Sequence, residues 1–279
     1  MIKQETNRIN LVGTVTDVKV EPKISKNGKD FVSGSITVDV NDSAYEAHFF
    51  SMKLKKDGTV SSQYNSYLTL DKMIGKRVRV TGSFDQTEVP ANGALQKGTR
   101  LKASFINVLN DSSVEDGATF SISGFISEGL KAVYESDGAT IKDYVITIAQ
   151  PSYDLSYLQL FRLNVNPKNT QAVEAIDTRF TVGTTCSFEG VIDYKIQNNQ
   201  VEIANDFGPA TTRSFQNSVK RYEIISGLLS DNEYTQEEIT DLMNKTQARD
   251  TEQLKLRAAV PASTQAAGFS KATITPRLI

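Results

Sequence analysis

A mainly β fold, made of two similar units in tandem and a helical C-terminal region, is predicted from three features of the sequence. The first is an internal repeat: residues 9–15 (INLVGTV) match residues 120–126 (FSISGFI), and residues 74–85 match residues 182–193. These matches have similar offsets (120 − 9 = 111 and 182 − 74 = 108). The second is an alternation of apolar and polar residues, and the third is a set of turn-forming pairs, such as Asn27-Gly28, between the alternating segments.

Five strands and one helix are predicted in the first unit. Alternation places the strands around residues 9–15, 36–40, 50–54, 78–82 and 101–105. Between the third and fourth strands, Tyr64, Tyr67, Leu68 and Met73 have helical spacing, and Gly75 is a helix stop. Three strands, a helix and two strands is the element order of the OB-fold, a five-stranded Greek-key barrel.

The second unit has the same predicted order. Val173, Ile176 and Phe180 form a helical face between its third and fourth strands. Its strands are predicted near residues 118–130, 141–149, 157–165, 185–196 and 200–207, with a turn at Asn198-Asn199. The predicted fold class is therefore mainly β, with two tandem OB-fold barrels followed by a helical C-terminal region.

Two helices are predicted after Pro209. The first follows the spacing of Phe215, Val219, Tyr222 and Ile225. The second begins at a capping box formed by Thr235 and Glu238. The predicted divisions are barrel 1 at 1–111, barrel 2 at 112–209, a helical extension at 210–258 and a flexible tail at 259–279.

Formal charge is divided unevenly between these parts, although the whole chain carries only −2. Residues 1–111 hold 16 Lys and Arg against 12 Asp and Glu (16 − 12 = +4), whereas residues 112–209 hold 6 against 13 (6 − 13 = −7). A polyanion is therefore expected to bind the first unit.

Catalytic and cofactor-dependent functions are not indicated by the sequence. A single Cys186 and a single His48 allow no internal disulfide and no Cys/His metal site, and no phosphate-binding loop or nucleophile motif is present. We therefore expect no enzyme activity, no cofactor and no metal. No apolar run is long enough for a membrane span, so a cytoplasmic protein is expected.

The first unit resembles single-stranded DNA-binding proteins of the bacterial and bacteriophage OB type. The resemblance rests on residues 7–20 (NRINLVGTVTDVKV), on the Lys-rich turn that follows, and on residues 74–84 (IGKRVRVTGSF). It extends more faintly to the second unit through the repeat. The tandem arrangement with a helical tail favours a phage replication or recombination protein within this group. The chain has no Trp, on which bacterial members stack bases.

Two aromatic residues are predicted to stack bases. If Ile36, Val38 and Val40 face the core, Phe31 lies on the opposite, outward face of its strand. The same reasoning places Phe49 outward, on the assumption that Phe50 faces inward. Exposed aromatic residues also occur without a function, and that interpretation stays open.

Basic residues of the first unit are predicted to hold the phosphates. They cluster on strands and loops that contact ligands in OB-folds, although a solvated surface is the alternative interpretation. The candidates are Lys23, Lys26, Lys29, Lys53, Lys55, Lys76, Arg77, Arg79, Arg100 and Lys102.

The predicted function is coating of single-stranded DNA, with little sequence preference, in phage DNA replication or recombination. Single-stranded DNA is the expected partner, with RNA as an alternative. Barrel 2 or the C-terminal helices would serve homo-oligomerisation or a replication-protein partner. A phage-encoded protein would act in the host cytoplasm. The alternative is a structural or interaction protein of a phage particle or replication assembly that binds no nucleic acid.

Overall fold

Strands make up most of the molecule, as predicted. The computed structural model describes residues 6–91, 93–135, 137–203, 211–230 and 233–258, with side chains described for all of these except 194–203, 211–219 and 258. The first half contains β1 (Asn7–Ile24), β2 (Asp30–Val40), β3 (Ser43–Met52), α1 (Ser62–Tyr67), a 3₁₀ turn (Leu70–Met73), β4 (Arg77–Ala91) and β5 (Ala94–Val108). The second half contains β6 (Gly117–Tyr134), β7 (Ile141–Pro151), β8 (Leu158–Val165), α2 (Thr170–Arg179), β9 (Thr185–Ile203), β10 (Thr211–Leu229) and α3 (Gln236–Ala258).

The five strands of the first half pair in a closed circuit, which we call the first ring. β1 pairs antiparallel with both β2 and β4, β2 pairs with β3, and β4 pairs with β5. A short parallel pairing of Ala47 with Leu101 joins β3 to β5 and completes the order β1-β2-β3-β5-β4-β1. Its interior contains the inward-facing apolar residues of every strand, such as Ile36, Val38 and Val80.

The second half repeats this circuit in β6-β7-β8-β10-β9-β6, the second ring. Here the parallel contact that completes the circuit joins Glu223 of β10 to Asn164 of β8. β6 pairs with both β7 and β9. The internal repeat of the sequence therefore corresponds to a repeated strand pairing.

The prediction of a helix around Phe215 to Ile225 is wrong, because these residues belong to β10. β9 also continues straight through Asn198-Asn199, where a turn was expected, and β10 pairs with it from Thr211 to Leu229. Tyr222 and Ile224 both face the core, so period-two burial replaces the helical spacing there. Long-range pairing with β9 determined the structure of a segment whose local spacing fits a helix.

The second predicted helix is confirmed as α3, with its capping box in place. The Thr235 backbone N–H donates to Glu238 Oε2 (2.8 Å), and the Glu238 N–H donates to Thr235 Oγ1 (3.2 Å). The helix between the third and fourth strands is also confirmed, as α1 in the first ring and α2 in the second. No helix within the described ranges is long and apolar enough to span a membrane. The tail predicted at 259–279 lies outside the described residues.

The two rings are joined into one sheet. β1 and β6 pair antiparallel from Asn7↔Ile122 to Val12↔Gly117, and one hydrophobic core runs through both halves. At its centre the Phe84 ring lies 4.8 Å from the Tyr222 ring and 5.4 Å from the Phe120 ring, measured between centroids. The first ring and the second ring thus pack as neighbours with a shared interior.

Candidate nucleic-acid interface

An open groove of about 550 Å³ crosses the outer face of the first ring. Strand register explains its composition, because residues paired across neighbouring strands point to the same side of the sheet. Lys19 pairs with Ser35, Ser35 with His48, and His48 with Lys102, which gives one transverse row over four strands. We call this the β1–β5 groove, and it is lined by Lys19, Glu21, Ser33, Gly34, Ser35, His48, Phe49, Phe50, Asp85, Arg100 and Lys102.

Two aromatic side chains stand at one side of the β1–β5 groove. The Phe31 and Phe50 rings lie 5.3 Å apart between centroids, tilted by 37°. Phe50 is 49% exposed and Phe31 is half-buried. Phe31 is paired with Lys23 on β1, so this aromatic pair adjoins the Lys-rich β1–β2 turn.

The prediction that Phe49 faces outward is wrong. Phe49 is only 2% exposed, and its ring packs against the Tyr67 ring with a centroid distance of 4.7 Å. Tyr45 and Ala47 share its inward face, so the outward face of β3 carries His48 and Phe50 instead. Although Phe49 borders the groove, its ring is buried and unavailable for stacking.

Cationic groups lie at both sides of the groove. Lys102 is exposed on β5 and makes no ion pair within the described part of the chain. Arg100 is paired with Asp85 (Nη2 to Oδ2, 2.6 Å), and Lys19 lies 4.0 Å from Asp17 with both side chains exposed. The Lys19–Asp17 pair is exposed and therefore weak, so Lys19 can move to contact a phosphate at little cost, whereas Arg100 is held by two contacts to the partly buried Asp85.

His48 lies in the middle of the transverse row. Partial burial lowers the pKa of its imidazole below the ordinary value, and the positive charges of Arg100 and Lys220 add to this effect, while Glu46 and Asp85 oppose it. The neutral imidazole is therefore favoured near pH 7. A neutral ring in a cationic groove can stack on a base and can gain a proton when a phosphate approaches.

Five further predicted lysines lie in or beside the β1–β2 turn and just after β3. Lys23 is exposed and pairs with Glu21, while Lys26 and Lys29 are exposed in the β1–β2 turn. Lys53 donates to Asp30 Oδ2 (2.7 Å), which raises the pKa of the Lys53 amine. Lys55 is exposed in the turn that follows β3. Their assignment to phosphate binding stays a prediction.

The basic residues at the start of β4 lie elsewhere. Arg77 donates from Nε to Asp116 Oδ1 (2.9 Å) and from Nη1 to the Asp111 carbonyl (2.9 Å), so it fastens the segment between the rings. Arg79 is paired with Asn107, whereas Asp85 at the groove comes six residues later on β4. At the rise of an extended strand, that separation is about 20 Å. Lys76, Arg77 and Arg79 therefore do not line the β1–β5 groove.

Sequence reasoning missed Lys19, His48 and Phe50 as groove residues. Lys19 continues the alternation of β1, opposite the partly buried Val18 and Val20. For β3, the polar residues Glu46 and His48 were the available indication of the outward face, and Phe50 follows them in phase.

The corresponding face of the second ring is closed by its own charges and by α3. Arg221 holds the buried Asp143 through two hydrogen bonds (Nε to Oδ2, 2.9 Å; Nη2 to Oδ1, 3.1 Å), and Asn164 donates to the same carboxylate (2.8 Å). Near the start of β8, Leu158 packs against Ile239 and Leu242 of α3. No equivalent open cationic groove is present among the described residues of this face.

A clamp fixes the β4–β5 hairpin to α3. Arg249 donates from Nη1 and Nη2 to the two oxygens of Glu88 (2.7 and 3.1 Å), and Lys97 pairs with Asp250 (2.7 Å). Burial opposes ionisation of Glu88, but the hydrogen bonds and charge of Arg249 outweigh it and lower the pKa of this carboxyl. The clamp holds the hairpin that carries Asp85 and Arg100 to the groove.

The sequence matches the profile of the YorF family over residues 5–255. The chain belongs to the YorF family. A comparison of this YorF-family chain with curated proteins gives no match. Among solved structures it is similar to the wild-type single-stranded DNA-binding protein from Thermus aquaticus, with 12% identity, 84% of this chain and 97% of that chain covered, and a TM-score of 0.48.

A deletion mutant of the same Thermus protein aligns with this YorF-family chain at 12% identity and a TM-score of 0.49, covering 84% of this chain and 98% of that chain. A Replication Protein A heterotrimer bound to single-stranded DNA aligns at 11% identity and a TM-score of 0.20, covering 88% and 53%.

Proposed function

We propose that this protein binds single-stranded DNA in the β1–β5 groove, with little sequence preference. The observation that carries the proposal is the pair of half-buried Phe31 and exposed Phe50 at the side of an open groove that also presents Lys19, Arg100 and Lys102. Aromatic faces that take bases, beside cations that follow the phosphates, are the two requirements for holding a single strand.

Stacking of bases on Phe31 and Phe50 favours a single strand, and not a duplex, as the ligand. The faces of bases are available to a side chain only where the bases are unstacked from each other. Each stacked base contributes about 1–3 kcal/mol, and every base has a π-face, so stacking tolerates any sequence. Single-stranded RNA has the same two features and is the alternative ligand.

The distribution of charges favours the first ring, and not the second, as the binding site for the phosphates. The groove's Lys102 is unpaired among the described residues, whereas the corresponding face of the second ring holds Asp143 and Glu223 around Arg221. A phosphate at that face would have to displace these carboxylates. We therefore assign the second ring to scaffolding or protein contact.

We infer further that each ring is a barrel of the OB type, with the division near residue 111, because the two circuits share one pairing order with a helix before the fourth strand. A role in phage DNA replication or recombination rests on the tandem arrangement and on the resemblance seen in the sequence.

The proposal is tested by Phe50→Ala in an anisotropy titration with a labelled oligo-dT strand. Losing one stacked base should weaken binding by about 5-fold to 150-fold, the equivalent of 1–3 kcal/mol. Phe105→Ala is the matched control, because Phe105 is a 66% exposed aromatic of the same ring outside the groove. Equal affinities for the two variants would contradict the assignment of Phe50. Absence of any binding at low salt would favour an interaction protein without nucleic-acid binding.

A further inference from the structure

Among the described residues, no strand pairs with one edge of β10 over residues 225–229. β10 pairs with β9 along its whole length, but its other edge meets β8 only at Glu223↔Asn164. All five residues from Ile225 to Leu229 are exposed, with Ile225 at 62% and Leu228 at 72%. The segment contains no charge and no Pro, although open strand edges are usually protected by such residues.

The same position in the first ring is occupied by the ring's own side chains. Ala103 and Ser104 follow the β3–β5 contact as Ile224 and Ile225 follow the β8–β10 contact, and both strands are irregular at this point. There the Tyr67 hydroxyl donates to the Ala103 and Ser104 carbonyls (3.2 and 2.9 Å). Gln63 Nε2 donates to the Ser104 carbonyl as well (2.7 Å). The first ring thus satisfies its own edge.

In the second ring this position is a groove of about 240 Å³ between α2 and β10, the α2–β10 groove. No side chain of α2 donates a hydrogen bond to β10 within the described residues, so the edge lacks the counterpart of Tyr67. A helix alongside an open strand edge leaves room for one added strand, and main-chain hydrogen bonds to the edge give such a strand its affinity. The lining residues are Asn169, Gln171, Ala172, Ala175, Ile176, Arg179, Phe180, Phe188 and Ile224 to Gly227.

The lining specifies the chemistry of the added strand. Ala172, Ala175 and Ile176 on α2 and the apolar β10 residues favour apolar side chains. Arg179 is the one charged residue among the described lining, it is exposed, and it makes no ion pair with another described residue. Arg–carboxylate pairing would therefore fix one acidic group at the end of α2.

We propose that the α2–β10 groove binds an extended, mainly apolar peptide segment of a partner protein, with a carboxylate opposite Arg179. The peptide adds a strand to the free edge of β10, and its backbone N–H groups supply the hydrogen bonds that Tyr67 and Gln63 provide in the first ring. A second copy of this chain is a poorer occupant of the groove. Its own β10 edge is flanked by its α2 helix, and that helix does not fit in the space of a single strand. The proposal extends beyond DNA binding and places a protein-contact site on the second ring.

The probe is a random peptide library displayed on phage and selected against the full-length protein. We expect enriched peptides to share alternating apolar residues and an acidic residue. A synthetic peptide from the selection should lose at least tenfold in affinity for Arg179→Glu and for Ala175→Trp, which fills the groove. Lys168→Glu is the matched control, because it makes the same charge change at an exposed residue just before α2 and outside the lining.

Hydrogen–deuterium exchange with the bound peptide should slow the amides of residues 225–229 and leave the first ring unchanged. Oligo-dT affinity should be the same for Arg179→Glu as for the wild type, which separates this proposal from DNA binding. Three outcomes would overturn it: no enrichment, unchanged affinity for Ala175→Trp, or self-association of the wild type that Ile225→Lys abolishes, since the occupant would then be a second copy.

Discussion

At the residue scale, the proposed binding of DNA in the β1–β5 groove is expected to change the protonation of His48. In the free protein, partial burial lowers the pKa of the His48 imidazole, and the positive charges of Arg100 and Lys220 lower it further. A bound phosphate neutralises the surrounding cations and favours the imidazolium, so it raises that pKa. Binding therefore takes up a proton, and the affinity for single-stranded DNA should rise as the pH falls through the range in which His48 titrates.

Anisotropy titrations at constant ionic strength between about pH 8 and pH 5.5 measure this effect, since the range spans the ordinary histidine pKa. We expect the wild type to bind more tightly toward the acidic end and His48→Gln to show a flatter profile. The same slope in both proteins would assign the pH dependence to another group.

The position of His48 also shows what limited the sequence prediction at this scale. β3 contains adjacent apolar residues, Phe49 and Phe50, so an alternation can be started from either one. Glu46 and His48 fix the outward phase, but a run of apolar residues after them fits the opposite phase equally well. A shift of one residue moves all side chains of a strand to the other face. For this reason Phe49, and not Phe50, was predicted to face outward.

At the element scale, the clamp between Glu88 and Arg249 is the contact most sensitive to a single change. The Glu88 side chain is 8% exposed, and its carboxylate accepts hydrogen bonds from Nη1 and Nη2 of Arg249. Removal of Arg249 leaves the carboxylate with the Gln86 amide (2.9 Å) and the more distant Arg257 guanidinium (4.0 Å), so the buried group is only partly satisfied, which costs about 1–3 kcal/mol. Arg249→Ala should lower the free energy of unfolding by about this amount, measured by urea denaturation.

The double variant Glu88→Gln/Arg249→Ala is the control for the clamp, because it removes the negative charge that has lost its main partner. It should recover part of the lost stability. A double variant as unstable as Arg249→Ala would mean that the arginine stabilises α3 by packing, such as its contact 4.0 Å above the Tyr157 ring, and not by neutralising Glu88.

Elements that are stabilised by contacts between residues close in sequence were predictable, and elements that depend on contacts between distant residues were not. α3 was located by the Thr235–Glu238 capping box, a contact between residues three apart. β10 was not predicted, because it forms by pairing with β9. The pair Tyr222↔Ile192 within that pairing lies thirty residues apart in the chain (222 − 192 = 30). Local spacing carries no information about such a partner.

At the scale of the whole molecule, the two rings should unfold together. Their shared core contains Phe84, which is 2% exposed and contacts Phe120, Phe161 and Tyr222 of the second ring. Phe84→Ala should cost about 3–5 kcal/mol, because it leaves a cavity between the rings. Circular dichroism during denaturation should show one shifted transition.

Phe105→Ala is again the control, because exposed substitutions change stability by about 0.5 kcal/mol or less. Two separate transitions, with only one of them affected by Phe84→Ala, would mean that the rings are independent in stability. The repeat in the sequence predicted two similar units; it could not predict the β1–β6 pairing, because that contact is between the repeats and not within them.

The difference in formal charge between residues 1–111 (+4) and residues 112–209 (−7) supports the proposal that the first ring binds a single strand. The most direct measurement is the equilibrium binding of labelled oligo-dT to the wild type at several salt concentrations, with unlabelled single-stranded DNA, duplex DNA and RNA as competitors. We predict that the affinity falls steeply with salt, because bound cations of the DNA are released, and that single strands compete far better than duplex. Equal competition by duplex, or an affinity independent of salt, would contradict single-strand binding by the first ring.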